Sequence, residues 1–231
     1  MSKRKNVKTV FSALILAVGV PLVLLFGITV FHNRQYAFIS LAVAVLSCVP
    51  VWIGFERREQ TAYRLILLAV LTALSVVGRF LFAMVPCFKP VTAMTVITAL
   101  YFGPEAGFLT GSLTAVISNF YFGQGAWTPF QMFAWGMIGF VAGLLAAPLK
   151  KSRWLLYGFG VLAGVAYSAV MDIFTTLWQD NAFHLLRYGA VMLSSLQMTV
   201  LYAVSNVVFL AVLAKPIGQK LERVQTKYGI R

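Results

Sequence analysis

Aromatic and amide side chains are concentrated between residues 118 and 135 of this 231-residue sequence. Aromatic rings offer flat apolar faces, and amides offer hydrogen-bond donors and acceptors of fixed direction. A planar organic ligand needs this combination, because small-molecule sites are mostly apolar with a few placed polar groups. The candidate ligand contacts in this stretch are Asn119, Phe120, Tyr121, Gln124, Trp127, Thr128, Gln131 and Trp135.

A second interpretation of the same stretch is an aromatic belt at a membrane interface, where Trp and Tyr accumulate regardless of function. A belt accounts for the rings, but it accounts for neither the amides nor Gly123 and Gly125. We therefore favour a ligand site. Pro129 is predicted to lie in the first turn of a helix, with Thr128 as its N-cap.

Charged residues inside apolar segments provide the next candidates. Arg79 and Asp172 each lie within a long apolar run, where an unpaired charge is energetically expensive. We expect the two to approach each other or to contact a wet cavity, either as a structural salt bridge or as ligand contacts. Lys89, between Pro86 and Pro90, could attract an anionic group or a lipid headgroup. Trp178 completes the set of candidate ligand contacts.

Other chemistry finds little support in the sequence. Cys48 and Cys87 form no paired motif, and His32 and His184 lack companion ligands, so neither a disulfide framework nor a metal site is predicted. No nucleotide-binding, nucleophile or metalloprotease motif occurs. The sequence predicts a protein that is not an enzyme and holds no cofactor.

The composition indicates what must position these residues. Hydrophobic residues make up 60% of the chain and charged residues only 11%, whereas soluble proteins are about 25% charged. This balance excludes a soluble enzyme, a disordered chain and a nucleic-acid-binding domain. The apolar runs are continuous and about 20 residues long, as in membrane helices. We predict an all-α, polytopic helical bundle in contact with membrane lipid.

Polar and Pro/Gly-containing separators divide the chain into about eight apolar segments. We expect a two-helix hairpin in residues 1–60 and a six-helix core in residues 61–231, with a short fourth segment that is tilted, broken or re-entrant. The segments are roughly 9–31, 36–55, 62–85, 90–103, 106–122, 129–148, 154–178 and 188–214.

Lysine and arginine residues predict the orientation. With eight spans, fifteen of the 19 basic residues fall on the side that holds both termini, and four fall on the other side. Cationic loops are retained in the cytoplasm, so both termini are predicted to be cytoplasmic. The aromatic and amide stretch then faces outward. The net charge of +13 follows from the same basic loops.

Residues 62–214 resemble the substrate-binding membrane subunit, the S component, of energy-coupling factor (ECF) vitamin transporters. The resemblance is carried by residues 88–145, above all by the stretch SNFYFGQGAWTPFQM at 118–132. It implies a six-helix bundle that binds a vitamin at its outer side and works with a transmembrane T component and two ATPase subunits in a prokaryotic plasma membrane. It also implies that an Ala-xxx-Ala face, here Ala69 and Ala73, contacts the T component.

The extra N-terminal hairpin departs from the family's usual six spans and leaves its docking geometry open. A cobalamin-type corrinoid is the first expectation for the ligand, and riboflavin or a queuosine precursor remains an alternative. For the class of protein, a self-contained secondary transporter remains an alternative, and it would show an internal repeat with broken helices. An intramembrane enzyme or a scaffold is the third class, and the scattered histidines do not support an enzyme.

Overall fold

The computed structural model describes residues 62–180 and 183–229, together with the single positions 14, 18, 19 and 22. Within residues 62–229, the regular structure described is α-helical throughout, which agrees with the predicted fold class. The predicted hairpin in residues 1–60 lies outside the continuously described part. The helices are α1 (Ala62–Leu81), α2 (Val91–Phe102), α3 (Pro104–Phe122), α4 (Trp127–Leu144), α5 (Ala146–Lys151), α6 (Arg153–Asp180), α7 (Leu185–Ser194) and α8 (Leu196–Tyr228).

Three of these helices, α1, α6 and α8, are long and apolar enough to cross a membrane. The short fourth segment forms the 12-residue helix α2, in which every residue except Tyr101 is buried. Twelve residues span about 18 Å, less than the ~30 Å hydrocarbon core of a bilayer. Helix α2 therefore lies inside the bundle, in contact with α1, α3, α4 and α8.

The last predicted segment, 188–214, differs from the structure in two ways. It is divided at Ser195 into α7 and α8, and α8 continues to Tyr228. The continuation is held by the bundle, because Leu221 is buried and Gln225 Nε2 donates to the Tyr101 carbonyl at 2.9 Å. The lysines of this continuation face outward, so it is amphipathic rather than uniformly apolar. A segment boundary drawn where the continuous apolar run ends therefore stops short of the end of the helix.

Helices α3 and α4 share a close contact built on glycine. A Cβ atom on Gly107 would lie 2.7 Å from the Gly139 carbonyl oxygen, which is too close for any side chain. The sequence contains the small-xxx-small pairs Gly107/Gly111, Gly139/Gly143 and Gly160/Gly164, and the structure places these glycines at internal packing positions, where a Cβ would clash with a neighbouring helix or connection. Gly107 lies in the first turn of α3 and Gly139 in the second half of α4, so this contact holds the two helices together at the end opposite to the aromatic and amide stretch.

Candidate ligand-binding site

Asn119 is the centre of a polar network between the last turn of α3 and the first turns of α4. Its side chain is fully buried. Asn119 Oδ1 accepts from Arg79 Nη1 at 2.8 Å, and Nδ2 donates to Thr128 Oγ1 at 3.0 Å and to Gln131 Oε1 at 2.8 Å. The amide thus uses both of its donors and its acceptor within the protein. Asn119 therefore positions its neighbours, and in this state it has no surface for a ligand.

The connection between α3 and α4, residues 123–126, continues this network. Thr128 Oγ1 donates to Gln124 Oε1 at 3.0 Å, and Gln124 Nε2 donates to the Val116 carbonyl at 2.9 Å. Gly123 has a φ of +100°, which side chains rarely tolerate, and the Trp127 ring occupies the space a Cβ on Gly125 would need. We call residues 123–127 the roof loop.

The predicted N-cap at Thr128 is wrong. Helix α4 begins at Trp127 with Ala126 as its N-cap residue, and no side chain caps it. The Thr128 hydroxyl is instead engaged by Asn119 and Gln124, because the buried amide needs an acceptor at this point. Pro129 lies in the first turn as predicted.

Arg79 is buried near the C-terminal end of α1 and takes neutral partners. Its Nη1 atom donates to Ser118 Oγ and Asn119 Oδ1. The guanidinium carbon also lies 4.7 Å from the Phe122 ring centroid and 5.1 Å from that of Trp135, within cation–π range. The expected approach to Asp172 does not occur.

Asp172 lies on α6 and is also buried, but it faces a different helix. Its carboxylate accepts from Ser195 Oγ at 2.7 Å, at the junction of α7 and α8. Counting residues along a helix gives the depth of a charge but not its direction around the helix. Equal depth therefore did not bring Arg79 and Asp172 together, so mutual approach, the first of the two expectations, is not observed.

A small cavity of about 60 Å³ lies beside the network. It is bounded on one side by Trp135, whose ring stacks on Tyr167 with centroids 4.9 Å apart and planes 17° apart. Gln131 Nε2 donates to Tyr167 OH at 3.2 Å, so the network reaches this stacked pair. The lining residues are Arg79, Cys87, Lys89, Val91, Thr92, Gln131, Trp135, Tyr167, Tyr202 and Asn206.

Lys89 contributes a second positive charge to the cavity wall. Its Nζ atom donates to the carbonyls of Phe82 and Val85, both at 2.9 Å, and so closes the turn after α1. Burial lowers the pKa of the Lys89 ammonium, and the nearby Arg79 charge lowers that pKa further. Both effects mean that the cavity disfavours the charge that Lys89 carries.

Four predicted candidates line the cavity: Arg79, Lys89, Gln131 and Trp135. Asn119, Gln124 and Thr128 belong to the network behind it, and Trp127 packs in the roof loop. Phe120 and Tyr121 point away, with 79% and 73% of their surfaces exposed, because consecutive helical residues cannot share the face of buried Asn119. Trp178 is partly exposed beside Phe174, and Asp172 does not line the cavity either.

Tyr167 and Tyr202 were not among the predicted site residues. A signal for them exists in the spacing: Tyr167 follows Gly160 and Gly164 on α6, and Tyr202 precedes Asn206 by four residues on α8. Residues three or four apart share a helix face. Gly164 packs against the Ala203 backbone, and Asn206 Nδ2 donates to the Gly160 carbonyl at 3.0 Å. The face of α6 that meets α8 thus carries the tyrosine.

Comparison with known proteins identifies one family. Residues 59–223, more than two thirds of the chain, match the family model described as ECF-type riboflavin transporter, S component. No curated protein and no solved structure gives a significant match. The family is one of transporter subunits, not of enzymes, and its members are multi-pass proteins of the cell membrane. This chain belongs to the ECF-type riboflavin transporter S component family.

Proposed function

We propose that this protein is the substrate-specificity subunit of an ECF-type importer and binds its vitamin at the cavity between α1, α2, α4, α6 and α8. The observation that carries the proposal is the match of residues 59–223 to the S component family. The cavity supports the position of the site, because it combines a stacked aromatic pair with charged and amide groups. The positive-inside distribution supports an outward-facing site and cytoplasmic termini.

For the substrate we propose a flat heteroaromatic vitamin of the riboflavin type, in place of the corrinoid first expected. The family description names riboflavin. Trp135 and Tyr167 stack on each other, so a tricyclic ring would bind against this aromatic pair once the site opens. A corrinoid is much larger and not a planar aromatic ring system, and it remains the alternative to be tested.

Binding of any vitamin requires the site to open. The cavity holds about 60 Å³, whereas sites for drug-sized ligands measure about 300–1,000 Å³. The turn at residues 82–90 lines the cavity through Cys87 and Lys89, and the roof loop is joined to Gln131 in the cavity wall by the hydrogen bonds of Thr128 and Asn119. Both connections contain a backbone position with positive φ, Cys87 in the turn and Gly123 in the roof loop. We propose that their displacement admits the ligand, with Gln131 and Trp135 as its contacts and Asn119 as their support.

For the partner we propose the T component, bound at the exposed face of α1. Ala69 and Ala73 are exposed together with Leu65, Ile66 and Val70 on one side of this helix. Small side chains allow another helix to approach closely in a membrane. The family works with T and ATPase modules, and transport by the protein alone is therefore not expected.

The experiment compares binding with transport. The purified full-length chain should bind riboflavin saturably in detergent, with quenching of flavin fluorescence as the readout and cobalamin as the competitor. Proteoliposomes should accumulate riboflavin only when T and ATPase subunits and ATP are present. Full-rate uptake by the chain alone, driven by a proton or sodium gradient, would favour a secondary transporter. Tight cobalamin binding without riboflavin binding would restore the corrinoid.

A further inference from the structure

The cavity wall carries two positive charges and, among the described residues that line it, no acidic side chain. Arg79 is buried, Lys89 is half-buried, and both line the same cavity. A buried charge without a counter-ion is costly in the low dielectric of a membrane protein. Neutral carbonyls, amides and aromatic rings solvate these cations but do not neutralise them.

Both cations also keep hydrogen-bonding capacity. Arg79 uses Nη1 for both Ser118 and Asn119, and its buried Nε atom has no acceptor. Lys89 donates two of the three ammonium protons to Phe82 and Val85, which leaves one. The remaining donors of the two side chains belong to groups that line one cavity.

The size of the cavity limits what these donors can bind in this state. A volume of about 60 Å³ has room for a few water molecules, since one water needs at least ~10–15 Å³ of such space. A whole vitamin does not fit, but a compact charged group of a few heavy atoms is of this order. An oxyanion would satisfy the free donors and offset both charges with charge-assisted hydrogen bonds.

We propose that Arg79 and Lys89 form a subsite for an oxyanion, a phosphate monoester or a carboxylate, carried by the transported molecule. This inference rests on the proposed function, because it assigns the same cavity an anionic substrate class. It predicts that flavin mononucleotide, or a flavin with a carboxylate side chain, is a better ligand than neutral riboflavin.

The first test measures the affinity of the purified full-length chain for riboflavin, flavin mononucleotide and 10-carboxymethylflavin. We expect at least one of the two anionic flavins to bind about tenfold more tightly than riboflavin. Which of the two binds more tightly shows whether the subsite accepts a phosphate or a carboxylate. Lys89→Gln should reduce this preference to less than about threefold; because Lys89 also lines the cavity, the readout is the ratio of the anionic to the neutral flavin affinity within each variant. Lys215→Gln is the matched control, since Lys215 is exposed and ten residues beyond Ser205, the residue that contacts Lys89.

Equal or weaker binding of both anionic flavins, or a preference that Lys89→Gln leaves intact, would overturn the subsite. If no flavin binds, the riboflavin-type proposal fails and a second test decides the subsite alone. Inorganic phosphate should then raise the thermal midpoint of the wild-type chain above that in chloride at equal ionic strength, and Lys89→Gln should abolish the difference. Equal thermal midpoints of the wild-type chain in phosphate and in chloride would overturn the oxyanion subsite.

Discussion

The buried and exposed faces of α1 differ in chemistry over the same twenty residues. The buried face carries Thr72, Ser75 and Arg79 among its leucines and contacts α2 and α3. The opposite face is aliphatic, and Ala69 and Ala73 are exposed on it. A membrane helix surrounded only by lipid gains nothing from a polar face, so the buried side is specified by its protein partners.

This difference indicates how one helix can serve two tasks. Arg79 lies ten residues after Ala69, about 15 Å along the axis, at the end of α1 that meets the cavity. We expect ligand binding to depend on the buried face of α1 and docking on its exposed face. Substitutions on the two faces should then separate the two activities, and the following experiments test that separation.

The largest effect is expected on the buried face. Arg79→Ala removes the donor to Ser118 and Asn119 and leaves the Asn119 carbonyl oxygen buried without it. We expect ligand affinity to fall about 100-fold, equivalent to ~2.7 kcal/mol, measured by fluorescence titration. Assembly with the T component, measured by co-purification, should persist.

Arg79→Lys is the control for charge, and it should restore only part of the affinity because a lysine cannot reproduce the planar guanidinium. Loss of assembly in Arg79→Ala, with a normal melting curve, would show that the two faces are not separable.

On the exposed face, Ala73→Trp should give the opposite result. A bulky ring at a close helix contact prevents approach of the partner helix. We expect ATP-dependent uptake in proteoliposomes to fall more than about tenfold, with ligand affinity unchanged. Leu162→Trp is the matched control, because Leu162 is an exposed apolar residue on α6. Normal uptake by Ala73→Trp would remove this face as the docking surface.

A smaller effect is expected in the roof loop, away from both faces of α1. Trp127→Ala removes the ring that packs against Gly125 and leaves the loop less constrained. We expect ligand affinity to fall about fivefold, mainly through faster dissociation in stopped-flow traces. Trp154→Ala is the control, since Trp154 is largely exposed at the start of α6. Unchanged affinity would show that the roof loop takes no part in holding the ligand.

The part of the network that lies around the roof loop brings together four residues that are close in sequence, so their proximity could be predicted, although their hydrogen bonds to one another could not. Asn119, Gln124, Thr128 and Gln131 flank one short connection, so any helix–loop–helix arrangement brings them together. The sequence also indicates the buried helix contacts, through its glycine pairs. Proximity along the chain and the spacing of small residues are therefore the features from which contacts in this protein can be predicted.

The other features of the site could not be predicted, because they depend on the direction in which each side chain points around its helix and on packing between distant parts of the chain. The aromatic character of Phe120 and Tyr121 made them candidates, but their rotation around α3 directs them outward. Tyr167 joins the cavity from α6, 36 residues after Gln131, through a contact that no local pattern contains. Arg79 and Asp172 were matched by depth alone. Depth follows from counting residues, whereas direction depends on which neighbouring helix each face meets.

The smallest effect is expected at Asp172, which provides the comparison for Arg79. Asp172→Asn keeps an acceptor for Ser195 Oγ and removes the charge. The side chain does not line the cavity, so ligand affinity should change less than about twofold by fluorescence titration. Asp172→Leu, which cannot accept from Ser195, should lower the thermal midpoint and thereby report the structural role of this hydrogen bond. A large loss of affinity in Asp172→Asn with an unchanged thermal midpoint would mean that the carboxylate contacts the ligand in the open state. The buried charge that matters for binding would then lie on α6 as well as on α1, and the assignment of binding to one face of α1 would be incomplete.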